Sequence, residues 1–307
     1  MLASYNYERY LPEAIESVLD QTFKDLELII VDDFSTDNSR AIIESYRRKD
    51  KRIRVIFHEK NLGIAKTAND GLSIAEGKFI SFIGADDVWF PNKLEKQVNI
   101  LEINENKILW SDGEIIDGAG NPTGKTMTQL LNSPKRKSGN IFQELLKEDF
   151  VFGQSLIFKT EYVKKIKFNE NLKYVNDHLL LVNLSRKYDF TFIPESLAKY
   201  RIHGENITLK NEKQWLTERI LIRKYFLQNF SKEISAQTGA DIYYKIGYFF
   251  SRLGQKKLAK QYYFEAIRID HSHAASALYL ILSLTGGEGF VGKFLSSSYR
   301  KISKLMV

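Results

Sequence analysis

Apolar residues along this chain fall into two rhythms. Short, nearly unbroken runs, Leu26-Glu27-Leu28-Ile29-Ile30-Val31 and Phe79-Ile80-Ser81-Phe82-Ile83, suit strands buried on both faces of a parallel sheet. Elsewhere Leu11, Ile15, Val18 and Leu19 recur at helical spacing, with Pro12 in the first turn. A helix from about Asp37 follows the first run, where Ser35 or Asp37 can cap it. Ile53 to Phe57 reads as a short strand and Ile64 to Ala75 as a helix stopped by Gly77. Pro91 opens a helix through about Ile103. This alternation predicts an α/β fold with a doubly wound, mostly parallel sheet. Met1-Leu2-Ala3-Ser4 reads as the end of a first strand, so the natural start is expected upstream.

From Ile108 the alternation loosens. Ile108 to Ser111, Ser155 to Lys159 and Ala198 to Ile202 read as strands, and Asn176 to Lys187 as a helix. The polar stretch Asp117 to Asn140 reads as a long loop. Beyond about Glu205 the pattern is wholly helical. Counting from Ala240 as the first position, Tyr243, Ile246, Gly247, Phe250, Ala259, Tyr263 and Ala266 fit one tetratricopeptide helix pair. One such pair cannot bury its own face, so Gln214–Phe230 and His273–Leu284 are expected to flank it. An ordinary helical hairpin is the alternative. The expected domains are residues 1–208, a linking helix at 209–235 and a helical module at 236–307.

Composition narrows the class. Hydrophobic content of 43% with 27% charged residues is that of a folded globular protein. The chain has no cysteine, which excludes disulfides, thiolate metal sites and cysteine nucleophiles. Its formal charge of +7 is spread over dispersed clusters such as Arg47-Arg48-Lys49 and Lys135-Arg136-Lys137, as solvated helix faces require. Without a recognised binding motif this charge does not imply nucleic acid; anionic membrane or phosphorylated substrates are its functional alternatives. Phe290, Val291, Phe294 and Leu295 interleave with Lys293, Arg300 and Lys301 as a weak interfacial helix would. No run approaches the ~20 apolar residues of a membrane span and no signal peptide is recognisable, so a cytoplasmic location is expected.

Both buried runs end in acidic pairs, Asp32-Asp33 and, after Gly84-Ala85, Asp86-Asp87. Ligands of open α/β sheets bind at the carboxyl ends of the strands, where both pairs fall. Four carboxylates on one rim repel unless a cation or ligand donors offset them, which points to a metal-assisted nucleotide site.

A series of phrases strengthens that reading: Ala3-Ser4-Tyr5-Asn6-Tyr7-Glu8-Arg9-Tyr10-Leu11, Ile15-Glu16-Ser17-Val18-Leu19-Asp20-Gln21-Thr22 and Ile30-Val31-Asp32-Asp33-Phe34-Ser35-Thr36-Asp37. Asn61-Leu62-Gly63, Ala68-Asn69-Asp70-Gly71, Ala75-Glu76-Gly77 and Asp86-Asp87 follow, then Phe168-Asn169-Glu170, Asn176-Asp177 and Tyr200-Arg201-Ile202-His203-Gly204-Glu205-Asn206. In this order and spacing, residues 1–208 resemble the family 2 inverting glycosyltransferases of GT-A fold, a Rossmann-like sheet followed here by an all-α module.

The resemblance implies roles. Asp86 and Asp87 would share ribose and metal contacts, undivided between them, with Mn²⁺ or Mg²⁺ as cofactor. Gly84 stands where the family often has the first Asp of that motif. His203 matches a histidine that touches metal or diphosphate, and Asp33 an acceptor for a base N–H that favours uracil. Ala3, Tyr5 and Glu8 line up with the nucleoside loop. Asp177 is the implied general base, although Asn176 replaces the family's usual acidic neighbour. Structural alternatives are core packing for Tyr5, a turn cap for Asp33, Asp86 or Asp87, an N-cap for Asp177 and a structural histidine at position 203.

The expected activity is transfer of a sugar, with a UDP-sugar the favoured donor, to a saccharide or lipid-linked acceptor in cell-surface polysaccharide synthesis. The acceptor is expected between the Gln154 region, the Asp117–Asn140 loop and Asp177. Peripheral contact with the inner face of the plasma membrane, or a protein partner on the C-terminal helices, would accompany it. The rival is a non-catalytic interaction protein with a degenerate nucleotide domain and a partner site on the helical repeat, which Gly84, Asn176 and the short first strand favour. A nucleotidyltransferase ranks below both, since Ser4-Tyr5-Asn6-Tyr7 is no glycine-rich phosphate loop.

Overall fold

The computed structural model describes residues 1–104, 106–131, 138–204, 206, 211–273, 276 and 277. The chain forms two compact units, Met1–Ile141 with Phe150–His203, and Phe142–Asp149 with Gly204–Val307.

The strands of the first unit are β1 (Leu2–Ser4), β2 (Leu28–Asp32), β3 (Ile53–Phe57), β4 (Phe79–Ile80), β5 (Ile83–Gly84) and β6 (Val88–Trp89), followed by β7 (Lys107–Ile116), β8 (Pro122–Thr126), β9 (Phe158–Lys159) and β10 (Asp189–Arg201). Helices α1 (Leu11–Leu19), α2 (Ser39–Lys49), α3 (Ile64–Ile74), α4 (Lys93–Ile103) and α5 (Met127–Leu130) alternate with them. After α6 (Phe142–Lys147), which belongs to the second unit, come α7 (Thr160–Ile166) and α8 (Asn176–Ser185).

A parallel sheet runs β3-β2-β1-β5. Every residue of β2 is buried, as its apolar run demands, and α1 buries Leu11, Ala14, Ile15 and Val18. A second sheet runs β6-β10-β7-β8; in it β10 is parallel to β7 and antiparallel to β6. The architecture is α/β with a mostly parallel principal sheet, as the alternation of strands and helices in the sequence predicts.

Three local expectations change. The second acidic run is not one strand: β4 pairs antiparallel with β9, and β5 pairs parallel with β1. The switch falls at Ser81, whose carbonyl accepts from the Met1 nitrogen at 2.8 Å and whose hydroxyl donates to the Leu156 carbonyl. The stretch from Asp117 to Asn140 is not all loop, since it contains β8 and α5. Asp117 closes the hairpin turn by accepting from the Ala119 and Asn121 amides, both at 2.9 Å. Thr126 and Gln129 then form a reciprocal cap that starts α5. The strand expected at Ala198 to Ile202 is the end of a longer one, β10.

The second unit contains α6, α9 (Glu212–Asn229), α10 (Ala236–Arg252) and α11 (Lys256–Ile269). The α10–α11 hairpin occupies the segment that fits the tetratricopeptide template. Its helices touch at Gly247, where a Cβ would lie 2.7 Å from the Tyr263 ring and 3.1 Å from the Ala259 carbonyl. The flanking helix expected at His273–Leu284 lies almost wholly outside the described residues, and the amphipathic tail entirely so. Among the described residues no helix is long and apolar enough to cross a membrane.

Candidate active site

Because the first sheet is parallel, the loops after β1, β2, β3 and β5 leave from one rim. Two non-glycine residues there are left-handed, Asn6 at φ +57° and Phe34 at φ +69°. For a bulky residue such as Phe34 this costs about 1–2 kcal/mol, which the surroundings must offset. The offset is a set of loop-to-loop hydrogen bonds. The Asn6 amide donates to Ser35 Oγ at 2.9 Å, and Asn6 Oδ1 accepts from the Thr36 amide at 2.8 Å. Asp32, fully buried, secures its own loop through the Ser35 amide (3.0 Å) and Arg40 Nε (2.8 Å).

The residues expected to meet a nucleotide occupy different settings. Asp33 is buried; its Oδ1 lies 2.8 Å from His58 Nδ1 and accepts from the Leu62 amide at 2.7 Å, and its Oδ2 accepts from the Gly63 amide at 2.8 Å. It therefore fixes the approach to α3 rather than capping α2. His58 Nε2 continues the chain to Asp70 Oδ2 at 3.1 Å. Glu8 accepts from the Asn38 amide at 2.7 Å while its own amide donates to Asp37 at 3.0 Å, so it helps start α2. Burial pushes the Asp37 carboxyl up, but the Glu8 and Ser39 donors outweigh this and hold it below the usual range. Tyr5 is 45% exposed, which removes core packing as its role. Ala3 pairs with Val31 and Gly84 within the sheet.

Asp86 and Asp87 converge over Gly84. A Cβ at position 84 would sit 2.7 Å from both Asp86 Oδ1 and Asp87 Oδ2, so only glycine permits this approach. The replacement noticed in the sequence thus makes room for the two carboxylates beside each other. Asp87 is 1% exposed; its Oδ1 accepts from the Arg201 amide at 3.0 Å, and its Oδ2 makes no hydrogen bond. Burial, and then the neighbouring Asp86 charge, push its carboxyl well above the ordinary range, against the pull of Arg201 and Gln154. Asp86 Oδ2 lies 3.0 Å from His203 Nε2, and the His203 ring packs on Tyr10 and Tyr7 at 4.7 and 5.8 Å between centroids. Among the described residues, no group of three or more His, Asp or Glu side chains stands ready to hold a metal ion.

Asp177 lies in the first turn of α8, one residue inside the helix, so it is not the N-cap; its Oδ1 accepts from the His178 amide at 2.8 Å. Its neighbour Asn176 is buried and donates to the Leu172 and Lys173 carbonyls. Asp177, Gln154, Ala3 and Gly84 line one cavity of about 250 Å³. Asp33, Tyr5, Glu8, Asp86, Asp87 and His203 do not line it.

Residues 1–167, more than half of the chain, match the sequence model of glycosyl transferase family 2. The chain belongs to this family. It is accordingly a glycosyltransferase. An uncharacterized glycosyltransferase of Methanocaldococcus jannaschii is 36% identical over 221 residues, spanning 70% of this chain and 74% of its own. A putative teichuronic acid biosynthesis glycosyltransferase of Bacillus subtilis is 28% identical over 230 residues, 73% of this chain and 88% of its own. The structure of S. aureus TarS 1-349 in complex with UDP-GlcNAc aligns with a TM-score of 0.66 at 19% identity, over 99% of this chain and 89% of that one. The mannosyltransferase PcManGT from Pyrobaculum calidifontis, in complex with GDP-Man and Mn²⁺, aligns with a TM-score of 0.58 at 16% identity, over 97% of this chain and 80% of that one. At these identities the two structures bear on the fold alone, which is the GT-A fold.

Sequence reasoning assigned no role to Arg201. Its side chain is 2% exposed and backs the acidic pair: Nε donates to the Asp86 carbonyl at 2.8 Å, the terminal nitrogens reach Glu13 and the Asp117 carbonyl, and the guanidinium lies 5.0 Å from the Tyr10 ring centroid. Its only sequence signal was its place in the Tyr200 to Asn206 phrase. His58 carried no signal at all.

Proposed function

We propose that this glycosyltransferase is an inverting enzyme that moves a sugar from a UDP-sugar to a saccharide or lipid-linked acceptor in cell-surface polysaccharide synthesis. One observation carries the reading: Gly84, directly beneath the Asp86 and Asp87 carboxylates, and Asp177 line the same cavity. A sugar there lies between a diphosphate end and a base. Asp177 takes the proton of the acceptor hydroxyl as that oxygen bonds to the anomeric carbon, while the bond to the diphosphate breaks on the opposite face. Asp33 and the loops carrying Ala3, Tyr5 and Glu8 hold the nucleoside; Asp33 Oδ2, bonded to the Gly63 amide, retains a second lone pair for a base N–H.

Asp86, Asp87 and His203 are the residues that would hold a divalent cation, Mn²⁺ or Mg²⁺, once their side chains draw together around it: two convergent carboxylates, one with a buried unbonded oxygen, and an imidazole 3.0 Å from Asp86. When bound, such an ion offsets the charge that grows on the departing diphosphate. Arg201 fixes the loop bearing both carboxylates through its bonds to the Asp86 carbonyl and Asp87 Oδ1. The name of the Bacillus subtilis relative supports assigning the product to an envelope polysaccharide, and with it a site of action at the cytoplasmic face of the membrane. The α10–α11 hairpin serves as a single repeat-like platform for a partner. Calorimetric titration of UDP, with GDP as control, with and without Mn²⁺, tests the donor site. Selective, metal-dependent UDP binding is expected; a cooperatively folded protein that binds neither nucleotide overturns the reading.

A further inference from the structure

The cavity shared by Gly84 and Asp177 is lined mainly by hydrocarbon. Phe82 packs edge-on against Phe158 and Phe168, with centroids 6.4 and 5.3 Å apart, and all three rings line the cavity. Leu156, Leu180 and Leu181 extend the apolar wall. Among the described residues no lysine, arginine or histidine lines it; Asp177 is the one charged side chain there, and Gln154 and Asn176 are the other polar ones. Met1 also lines it, its amine held on the Ser81 carbonyl with a pKa lowered to about 5 by burial. The Asn176 amide group already donates to the Leu172 and Lys173 carbonyls. At Gly153, which also lines the cavity, a Cβ would meet nothing within 4 Å.

We propose that this cavity receives the transferred glycosyl group and selects a neutral sugar bearing a methyl substituent, acetamido or 6-deoxy, while rejecting uronic acids. The inference rests on the nucleotide-sugar reading above and names the sugar class. A hydroxyl pressed against the phenylalanine wall loses its water partners without replacement, whereas a methyl group gains by leaving water. A carboxylate would enter a low-dielectric space with no cationic side chain among the described residues and with Asp177 of like charge. The donor sugar, rather than the acceptor, is assigned because Ala3 and Gly84 bring the cavity to the strand ends where the nucleotide is held. One methyl group in a fitted apolar pocket discriminates by about ten- to a hundredfold.

The test titrates the full chain, with Mn²⁺, with UDP, UDP-glucose, UDP-N-acetylglucosamine, a UDP-6-deoxyhexose and UDP-glucuronate. At least about tenfold tighter binding of either methyl-bearing sugar over UDP-glucose, with UDP-glucuronate weakest, is expected. Gly153→Ala, and more strongly Gly153→Val, should erode that preference as the added carbons fill the space; cooperative thermal unfolding of each variant checks that it folds. Equal affinities for the sugars, or a preference for UDP-glucuronate, with UDP itself bound, overturns the pocket assignment alone. Failure of UDP to bind overturns the underlying donor-site reading as well.

Discussion

Asp87 in the first unit and Glu148 in the second are carboxylates enclosed by protein, and the two units treat them oppositely. Asp87 is 1% exposed and crowded by Asp86, and burial together with that neighbour drives its proton affinity up. The Glu148 side chain keeps 28% exposure and meets Arg219, Lys245 at 2.6 Å and Arg223 at 3.9 Å. Burial works against its charge, but the three cations prevail and hold its carboxyl far below the usual range. Those cations are themselves embedded: Arg223 is fully buried, its pKa lowered to about 9 by burial and by Arg219, and Arg219 lies 4.5 Å from the Trp215 ring centroid. The second unit balances its carboxylate internally, as a structural staple does. The first sets two like charges side by side over a glycine, a strain that a fold does not need and a binding site does.

The largest break in this comparison is expected from chemistry. Asp177→Asn keeps the shape of the cavity wall but removes the base, so turnover should fall about 10²–10⁴-fold while UDP affinity stays nearly unchanged. Steady-state kinetics beside calorimetry checks this, and full activity would remove Asp177 from the mechanism. Next in size is Glu148→Gln, which leaves Arg219 and Arg223 without their carboxylate. Breaking a fully buried pair costs about 3–5 kcal/mol, and the partial exposure of Glu148 sets the expectation near the lower bound, about 3 kcal/mol. Urea denaturation should show the loss. Third, Asp87→Ala should weaken metal-dependent UDP binding about 10–100-fold and leave metal-free binding little changed, again by calorimetry.

How much of this was legible beforehand follows the range of the interactions. Strand β2 could be read directly, because burial on both faces leaves an unbroken apolar run. The strand after it could not: Phe79 to Ile83 shows the same pattern, yet it changes partners at Ser81 because β9, almost eighty residues on, competes with β1 for it. Asp86, Asp87 and Asp177 were legible as residues on known phrases, but Gly84 looked like a defect. Only the carboxylates folded over its Cα show that the missing side chain makes their approach feasible. Arg201 and His58 escaped for the same reason. Each acts by reaching residues distant in sequence, and neither periodicity nor composition records where a guanidinium or an imidazole ends up. The Arg219–Glu148–Arg223–Lys245 network was hidden likewise, since α6 joins the second unit across a long sequence gap.

The smallest predicted effect sharpens the comparison most, because its sign differs between the two units. The folded pKa of Asp87 is raised, so its contribution to stability is full below the ordinary carboxylate value of about 4 and is lost as pH rises through the folded value. Asp87→Asn keeps an oxygen to accept from the Arg201 amide and removes the charge. The variant should therefore melt higher than wild type at neutral pH, by about 2–4 °C, with the gap closing as pH falls toward 4. Glu148 is depressed, so its contribution is present above the ordinary value and is lost as pH falls through the folded value. Glu148→Gln should melt lower than wild type at neutral pH, with that gap closing in acid. The two gaps then change in different windows: Asp87→Asn climbs away from wild type as pH rises from about 4 to 8, whereas Glu148→Gln stays below it by a nearly constant margin that closes only below about pH 4. An Asp87→Asn curve parallel to wild type over that range would mean that Asp87 is compensated as fully as Glu148, and the contrast between a binding rim and an ion-paired staple would fail.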